Sequence, residues 1–229
     1  VCPSDWMSAC AKESILFRKF PVSTIVNGLN VNLFCPGDKK TARARLGLPA
    51  RKRIVLFGAM DGTIDRNKGY EYLIAALTIP QEKKSGKNLH LVVFGNRGEM
   101  PTEIAGIPLT AVGLINNDDK LAEVYSCADV TVVPSLIESF GQAASESLAC
   151  GTPVACFDTS GLRTVVDHRV NGYRARCYSS EDLANGIARI LSSQTNHVKL
   201  SKAARKKALS RFSLKNLHEK YREVYKRVR

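Results

Sequence analysis

The sequence predicts an α/β protein built on a parallel, doubly wound sheet. Three observations lead there. Short unbroken apolar runs, RIVLFGA (53–59), NLHLVVFG (88–95), ADVTVVPS (128–135) and TPVACFD (152–158), have the length and composition of strands buried on both faces. Segments with helical periodicity lie between them, such as KGYEYLIAALTI (68–79) and DDKLAEVYSCA (118–128). Gly, Pro and Asn punctuate the joins, with no internal repeat or low-complexity tract. Alternation at this spacing implies right-handed crossovers with helices on both faces of the sheet.

In chain order, residues 3–17 read as a capped helix with Ser4 or Asp5 near its start. Residues 21–37 read as a short strand, an Asn27-Gly28 turn and an irregular crossing segment. The helix at 41–47 is short, stopped by Gly47 and Pro49. Strand 53–59 is followed by a Gly/Asp-rich loop, then by a helix over 68–79 that Lys68 opens. After strand 88–95 comes a short strand at 109–115, helix 118–128 and strand 128–135. A helix runs from Gly141, strand 152–158 follows, and 161–168 and 171–178 read as a short helix and a turn plus strand. Helix 179–193 takes Ser179 or Ser180 as its N-cap. Two basic helices close the chain, broken near Phe212–Ser213. Residues 1–36 fit the sheet pattern poorly and read as the tail of a preceding domain plus a linker, with the main domain over 37–229.

Composition narrows the class. The chain has 229 residues, 44% hydrophobic and 24% charged, enough for one large domain or two small ones. No apolar run approaches the roughly 20 residues that cross a bilayer. The start has no secretory pattern, which predicts a cytoplasmic protein, and its first residue, Val1, predicts a piece of a longer chain. The seven cysteines are scattered and form no CxxC pair, so buried reduced thiols are expected and a catalytic metal is not. No His stands at a motif spacing from Cys or Ser, which argues against a hydrolytic triad, and His90 reads as structural.

The net charge is +13, concentrated in KKTARARLGLPARKR (39–53) and in the stretch 198–229. Solvated helix faces explain such runs most simply, and an anionic membrane surface is the alternative. Without an accompanying recognition motif, nucleic acid is not an expected partner.

The most informative stretch is PSLIESFGQAASESLACG (134–151). Glu138 and Glu146 stand eight apart across a Ser-Phe-Gly turn, between a strand and a helix. That order sets the first N–H groups of the helix at the carboxyl end of a strand, where open α/β sheets bind ligands and phosphate is favoured. Carboxylates do not suit phosphate; they suit the hydroxyls of a sugar and a ribose.

Together with STIVNGLNVNLFCPG (23–37), KGYEYLIAAL (68–77), LVVFG (91–95) and NGYRA (171–175), the extended string YSCADVTVVPSLIESFGQAASESLACGTPV (125–154) resembles the retaining glycosyltransferases of the GT-B fold, family-four type. The resemblance covers roughly residues 24–229, the C-terminal, Rossmann-like, nucleotide-sugar-binding half of that fold. It implies that Glu146 accepts hydrogen bonds from the ribose and that Glu138 holds hydroxyls of the transferred sugar. Main-chain amides of Ser139, Phe140, Gly141 and Gln142 would reach sugar and diphosphate. The family's cationic pair on the leaving diphosphate falls on Lys68 and Arg66; the usual arginine position is Ala59 here, and the loop is longer. Gly95, Asn96, Gly113, Ile115 and Leu121 would border the nucleotide, and Asn27 and Gly28 would turn the chain between domains.

The implied activity is transfer of a hexosyl group with retention, from a UDP- or GDP-sugar to a polysaccharide or lipid-linked acceptor, without a cofactor. The acceptor side belongs to an N-terminal domain that this sequence does not include, so the isolated chain is expected to bind donor and transfer little. The basic helices could rest on an anionic membrane at the inner face. The competing readings are a nucleotide-binding module without turnover and a basic domain for membrane or nucleic acid. A GT-B epimerase would need other acids and a His, and these are not in place.

Overall fold

The computed structural model describes residues 1–58, 60–82 and 88–228. Seven strands form one sheet: β1 (Arg53–Gly58), β2 (Leu89–Phe94), β3 (Glu103–Ile104), β4 (Ile107–Gly113), β5 (Val130–Val133), β6 (Val154–Phe157) and β7 (Gly172–Ala175). Their order is β3-β4-β2-β1-β5-β6-β7, and every pairing is parallel except the short β3–β4 hairpin. From β1 the chain winds outward through β2 to β4, then returns and winds the other way through β5, β6 and β7. The reversal lies between β1 and β5, and an open α/β sheet forms its ligand crevice at such a point.

The apolar runs become strands because both faces of the sheet are covered. Ile54 and Leu56 of β1 face one core with α2 (Lys39–Arg45), α4 (Asp118–Cys127) and α5 (Gln142–Ala149). Val55 and Phe57 face the other, with α3 (Tyr70–Glu82) and α7 (Ser180–Leu191). Strand residues therefore alternate between two cores rather than between core and water. Asp38 caps α2, Asn117 caps α4, Ser179 caps α7 and Ser193 caps α8 (Gln194–Lys207), each through its side chain.

Four details differ from the sequence reading. Lys68 does not open α3; it ends a 3-10 turn, Arg66–Lys68, and Gly69 follows in the left-handed region at φ 66°. Residues 21–37 contain no regular strand, only single bridges from Thr24 to Cys2 and from Leu29 to Ser213. The hairpin strand β3 has no counterpart in the sequence reading. The cysteines are all free, but Cys10 and Cys177 are exposed rather than buried.

The amino-terminal segment packs on this body without joining the sheet. Helix α1 (Asp5–Glu13) is capped by Ser4, as the sequence suggested. Val26, Leu29 and Phe34 enter the core, and the Leu29 amide donates to the Phe212 carbonyl at 2.7 Å. At the far end α8 widens into a π turn, Ala208–Phe212, before α9 (Leu214–Val228). Short α6 (Leu162–Val165) lies between β6 and β7.

Candidate functional site: a crevice at the switch point

The loops after β1 and β5 meet where the sheet reverses. The Leu136 amide donates to the Asn67 carbonyl at 2.8 Å, joining the two loops. Lys68 Nζ then reaches Glu138 Oε1 at 2.8 Å, with both side chains only partly exposed. Gly69 is required beside them, since a Cβ there would stand 2.0 Å from the Pro134 carbonyl oxygen. Lys68 and Glu138 share a small cleft of about 240 Å³ with Gly58, Ser135 and Gln142.

A third segment holds the turn in shape. The Glu138 amide donates to Ser160 Oγ at 2.8 Å, the Gly161 amide to the Glu138 carbonyl at 2.9 Å, and Thr159 Oγ1 to the Leu136 carbonyl at 3.2 Å. From the amino-terminal segment, Ser4 Oγ donates to the Ser139 carbonyl at 2.6 Å. Gly161 is the contact point, because a Cβ there would lie 2.5 Å from the Ser139 oxygen. Sequence reasoning missed Ser160 and Gly161 here, and named Ser4 only as a helix cap. The one available signal was Thr-Ser-Gly directly after a strand, a place where backbones often approach closely.

Helix α5 starts at this turn with Gly141 as N-cap, at φ 104°. No side chain caps it, in contrast to α1, α2, α4, α7 and α8. The uncapped amides and the positive end of the helix dipole therefore face the crevice, an arrangement suited to an anion.

Glu146 lies one turn into α5 and is held from two sides. Tyr125 donates its hydroxyl to Oε2 at 2.9 Å, and Gln142 Nε2 donates to Oε1 at 3.1 Å. Burial raises the Glu146 carboxyl above the usual carboxylate range, and those two hydrogen bonds offset only part of the rise. Tyr125 is fully enclosed, and burial together with the nearby Glu146 charge pushes its phenol well up. No sequence pattern marks Tyr125; it sits on the buried face of α4 like any core aromatic.

The remaining predicted residues divide into groups. Ser139 is exposed on the turn. Phe140 offers the crevice only its backbone, because its ring is buried edge-to-face against Phe212 at 5.7 Å. Arg66 is exposed and outside the Lys68–Glu138 cleft, with no ion pair among the described residues. Ala59, the alternative position for that cation, lies outside the described residues.

Gly95 follows β2 and Gly113 ends β4 on the same edge of the sheet, at φ 87° and 75°, and the Gly95 amide donates to the Gly113 carbonyl at 2.8 Å. Asn96 is buried and its amide donates to the Gly98 carbonyl at 2.7 Å, while its Oδ1 has no partner among the described residues. Ile115 and Leu121 are half-buried against the core. These five border the carboxyl edge of the sheet but do not line the Lys68–Glu138 cleft. His90, read as structural, pairs Nε2 with Thr110 Oγ1 at 2.9 Å.

Fold and crevice together define a class: an α/β ligand-binding domain of Rossmann-like architecture, with its site at the switch point of a parallel sheet. Within that class the chain belongs to the Glycosyl transferases group 1 family, whose profile matches residues 38–207. It is 35% identical over 217 residues to a D-inositol 3-phosphate glycosyltransferase of Thermobispora bispora, which covers 88% of this chain and 50% of that protein. It is 30% identical over 218 residues to an uncharacterised glycosyltransferase of Methanocaldococcus jannaschii, covering 90% of this chain and 54% of the relative.

The chain thus spans about half the length of the curated relatives it matches. Among solved structures, sucrose-phosphate synthase of Thermosynechococcus elongatus superposes with a TM-score of 0.84 at 30% identity, over 99% of this chain and 57% of that one. HepE of Anabaena, solved with UDP and glucose, shares the fold with a TM-score of 0.74 at 20% identity, over 89% of this chain and 56% of HepE.

Proposed function

We propose that this chain is the donor-binding half of a retaining glycosyltransferase acting on a nucleotide-diphosphate hexose. One observation carries the reading: the 2.8 Å Lys68–Glu138 pair stands at the switch point, before the uncapped start of α5 and close to Glu146. A cation, open helix amides and two carboxylates match the parts of a sugar nucleotide in order. Lys68 and the α5 amides take the diphosphate, Glu138 the sugar hydroxyls, and Glu146 the ribose hydroxyls.

The chemistry follows from charge. Breaking the bond between C1 of the sugar and the phosphate oxygen builds negative charge on the leaving diphosphate. Lys68 stabilises that charge, with Arg66 as a second cation once its loop turns inward. The acceptor oxygen bonds to C1 from the same face, and its proton passes to the leaving phosphate. Lys68 is paired with Glu138 before the donor arrives, so donor binding exchanges a carboxylate partner for a phosphate one. Glu138 is then released toward the sugar.

The acceptor would bind a second domain, in the half of the relatives' length that this chain does not span. The inositol phosphate named for the relatives is therefore not carried over; a polysaccharide or lipid-linked saccharide is the acceptor class we favour. Seven free thiols support a reducing, cytoplasmic setting. No described helix is long and apolar enough to cross a membrane. Any attachment at the inner face would therefore rest on other parts of the molecule, such as its basic helices.

The test is calorimetric titration with UDP, GDP and ADP, repeated on Glu146→Ala. UDP is the first choice, given the HepE complex. Saturable binding of one nucleotide, weakened in the variant, supports the donor site and names the base. Binding of none by the wild-type chain removes this reading for the chain as it stands. Transfer of sugar by the isolated chain should be slight.

A further inference from the structure

Behind the donor turn lies a second, larger cleft of about 590 Å³. Arg163 and Thr164 of α6, Asp167 and Val170 after it, and a wall of Lys206, Lys207, Ser210 and Arg211 line it. Asp5 of α1 stands at its edge. Four cations thus face two carboxylates, and the balance is more uneven in use. Asp167 is taken up by Lys207 at 2.8 Å. Arg163 is tied to Asp158, outside the lining, at 3.0 Å. Lys206 and Arg211 have no ion-pair partner among the described residues.

We infer that this cleft is an anion site, separate from the donor crevice, that takes a phosphoryl group on a small molecule or on a lipid headgroup. Three features favour a built site over a solvated basic face. The first is the backbone: where α8 ends at Lys207 the chain continues helically as the π turn, which carries Ser210 and Arg211 onto the cleft. Such turns are rare and recur at functional sites.

The second is that the backbone of this wall is held, while the Lys206 and Arg211 side chains are exposed. Phe212 is buried against Phe140, and Asn216 Nδ2 donates to the Ser210 carbonyl at 2.7 Å. The third is electrostatic. Lys207 is largely buried with Arg211 and Arg174 near it; burial and those like charges draw its ammonium below the usual lysine range, although Asp167 opposes them. An arriving dianion would relieve that repulsion and bond to Lys206, Arg211 and the hydroxyl of Thr164, whereas the Ser210 hydroxyl already donates to the Lys207 carbonyl at 3.2 Å. The Thr164 hydroxyl already accepts from the Asp5 amide at 3.3 Å, which leaves its own proton to donate.

The cleft is also wired to the donor turn. Leu162, beside Arg163, packs under Gly141, and Phe212, beside Arg211, packs on Phe140. A ligand seated there would rest against both supports of the turn that carries Glu138.

Amide resonances of the chain saturated with UDP should therefore respond to inorganic phosphate at Thr164, Ser210 and Arg211. Lys206→Ala/Arg211→Ala should weaken that response roughly tenfold or more, as loss of two charge-assisted bonds implies. Lys199→Ala/Lys202→Ala, an equal charge change on exposed positions of α8 outside the cleft, should not. UDP affinity should stay the same in both variants. The phosphate response is also readable without UDP, so failure of the donor reading would not be mistaken for failure of this one.

A second arm uses phosphatidylcholine vesicles with and without phosphatidic acid. Binding that only the Lys206/Arg211 variant loses assigns the phosphoryl group to a lipid; a response to phosphate alone assigns it to a soluble ligand. Equal behaviour of the two variants on both probes would overturn the site.

Discussion

Glu146 is the residue whose environment and role oppose each other. Burial disfavours its charge, yet a ribose needs it as an acceptor. Because its pKa is raised in the folded chain, ionising it costs stability as pH climbs from the ordinary carboxylate value, about 4.3, through the raised one. Glu146→Gln lacks that cost. Urea unfolding without nucleotide should find the variant at least as stable as wild type at pH 7, with its advantage shrinking as pH falls through the raised value and gone below about pH 4. Binding has the opposite sign: ribose hydroxyls donate to the carboxylate, so UDP affinity should be full above the raised pKa and fall as pH drops through it. In Glu146→Gln affinity should be lower and that part of the pH dependence gone; a pH profile equal to wild type would remove Glu146 from the ribose. Tyr125 acts through Glu146. Tyr125→Phe deletes a hydrogen bond to a charged group, worth about 1.5–3 kcal/mol to stability, and loosens the carboxylate that meets the ribose, so UDP should bind more weakly and the fall should begin at a higher pH. Weaker binding with an unshifted profile would mean that Tyr125 serves packing alone.

At the scale of elements, the turn between β5 and α5 is shaped by its glycine. Gly141 sits at φ 104°, and a Cβ there would come within 2.7 Å of Leu162 Cδ2. Gly141→Ala should lose about 1–3 kcal/mol in denaturant unfolding and weaken nucleotide binding as well, because the backbone must turn to escape the clash. Full stability in this variant would show that the turn relaxes freely. This element was legible in the sequence, as were the six parallel strands, because buried strands and amphipathic helices write themselves into local apolar patterns. Its supports were not. The bonds of Ser160 and Gly161 to Glu138 join segments 22 or 23 positions apart in the sequence. The break at Gly69 exists because the Pro134 carbonyl passes beside it, and the π turn at 208–212 looks like plain helix in sequence. Lys68 and Glu138 could be named from their motif, but not their ion pair, which depends on how two loops meet.

For the whole molecule, the basic run 39–53 proves to be more than a solvated face. Arg43 is only 6% exposed and serves as a tie. It bonds the carbonyls of Cys127, Ala50 and Lys52, and its Nη2 lies 2.7 Å from Asp129 Oδ2. Asp129 also takes Lys39 at 2.9 Å and the Ile54 amide at 2.7 Å. One carboxylate therefore joins α2 to the starts of β1 and β5, the two strands that flank the crevice. Burial alone would raise Asp129, but Lys39, the Ile54 amide and Arg43 outweigh it and hold the carboxyl below the usual range. Its stabilising contribution is therefore complete above the unfolded value of about 3.9 and is lost as pH falls through the lower folded value. Asp129→Asn keeps an acceptor for Ile54 but leaves Arg43 buried without a counter-charge, so it should cost about 3–5 kcal/mol at neutral pH. From about pH 4 downward the gap should shrink, and the two proteins should converge once pH has fallen through the lower folded value, where wild type carries a protonated, equally neutral side chain. Urea unfolding across this range reads the difference directly. A gap that stays constant down to pH 2 would mean that Asp129 stabilises by shape rather than charge. The joint between β1 and β5 would then rest on packing rather than on this ion network.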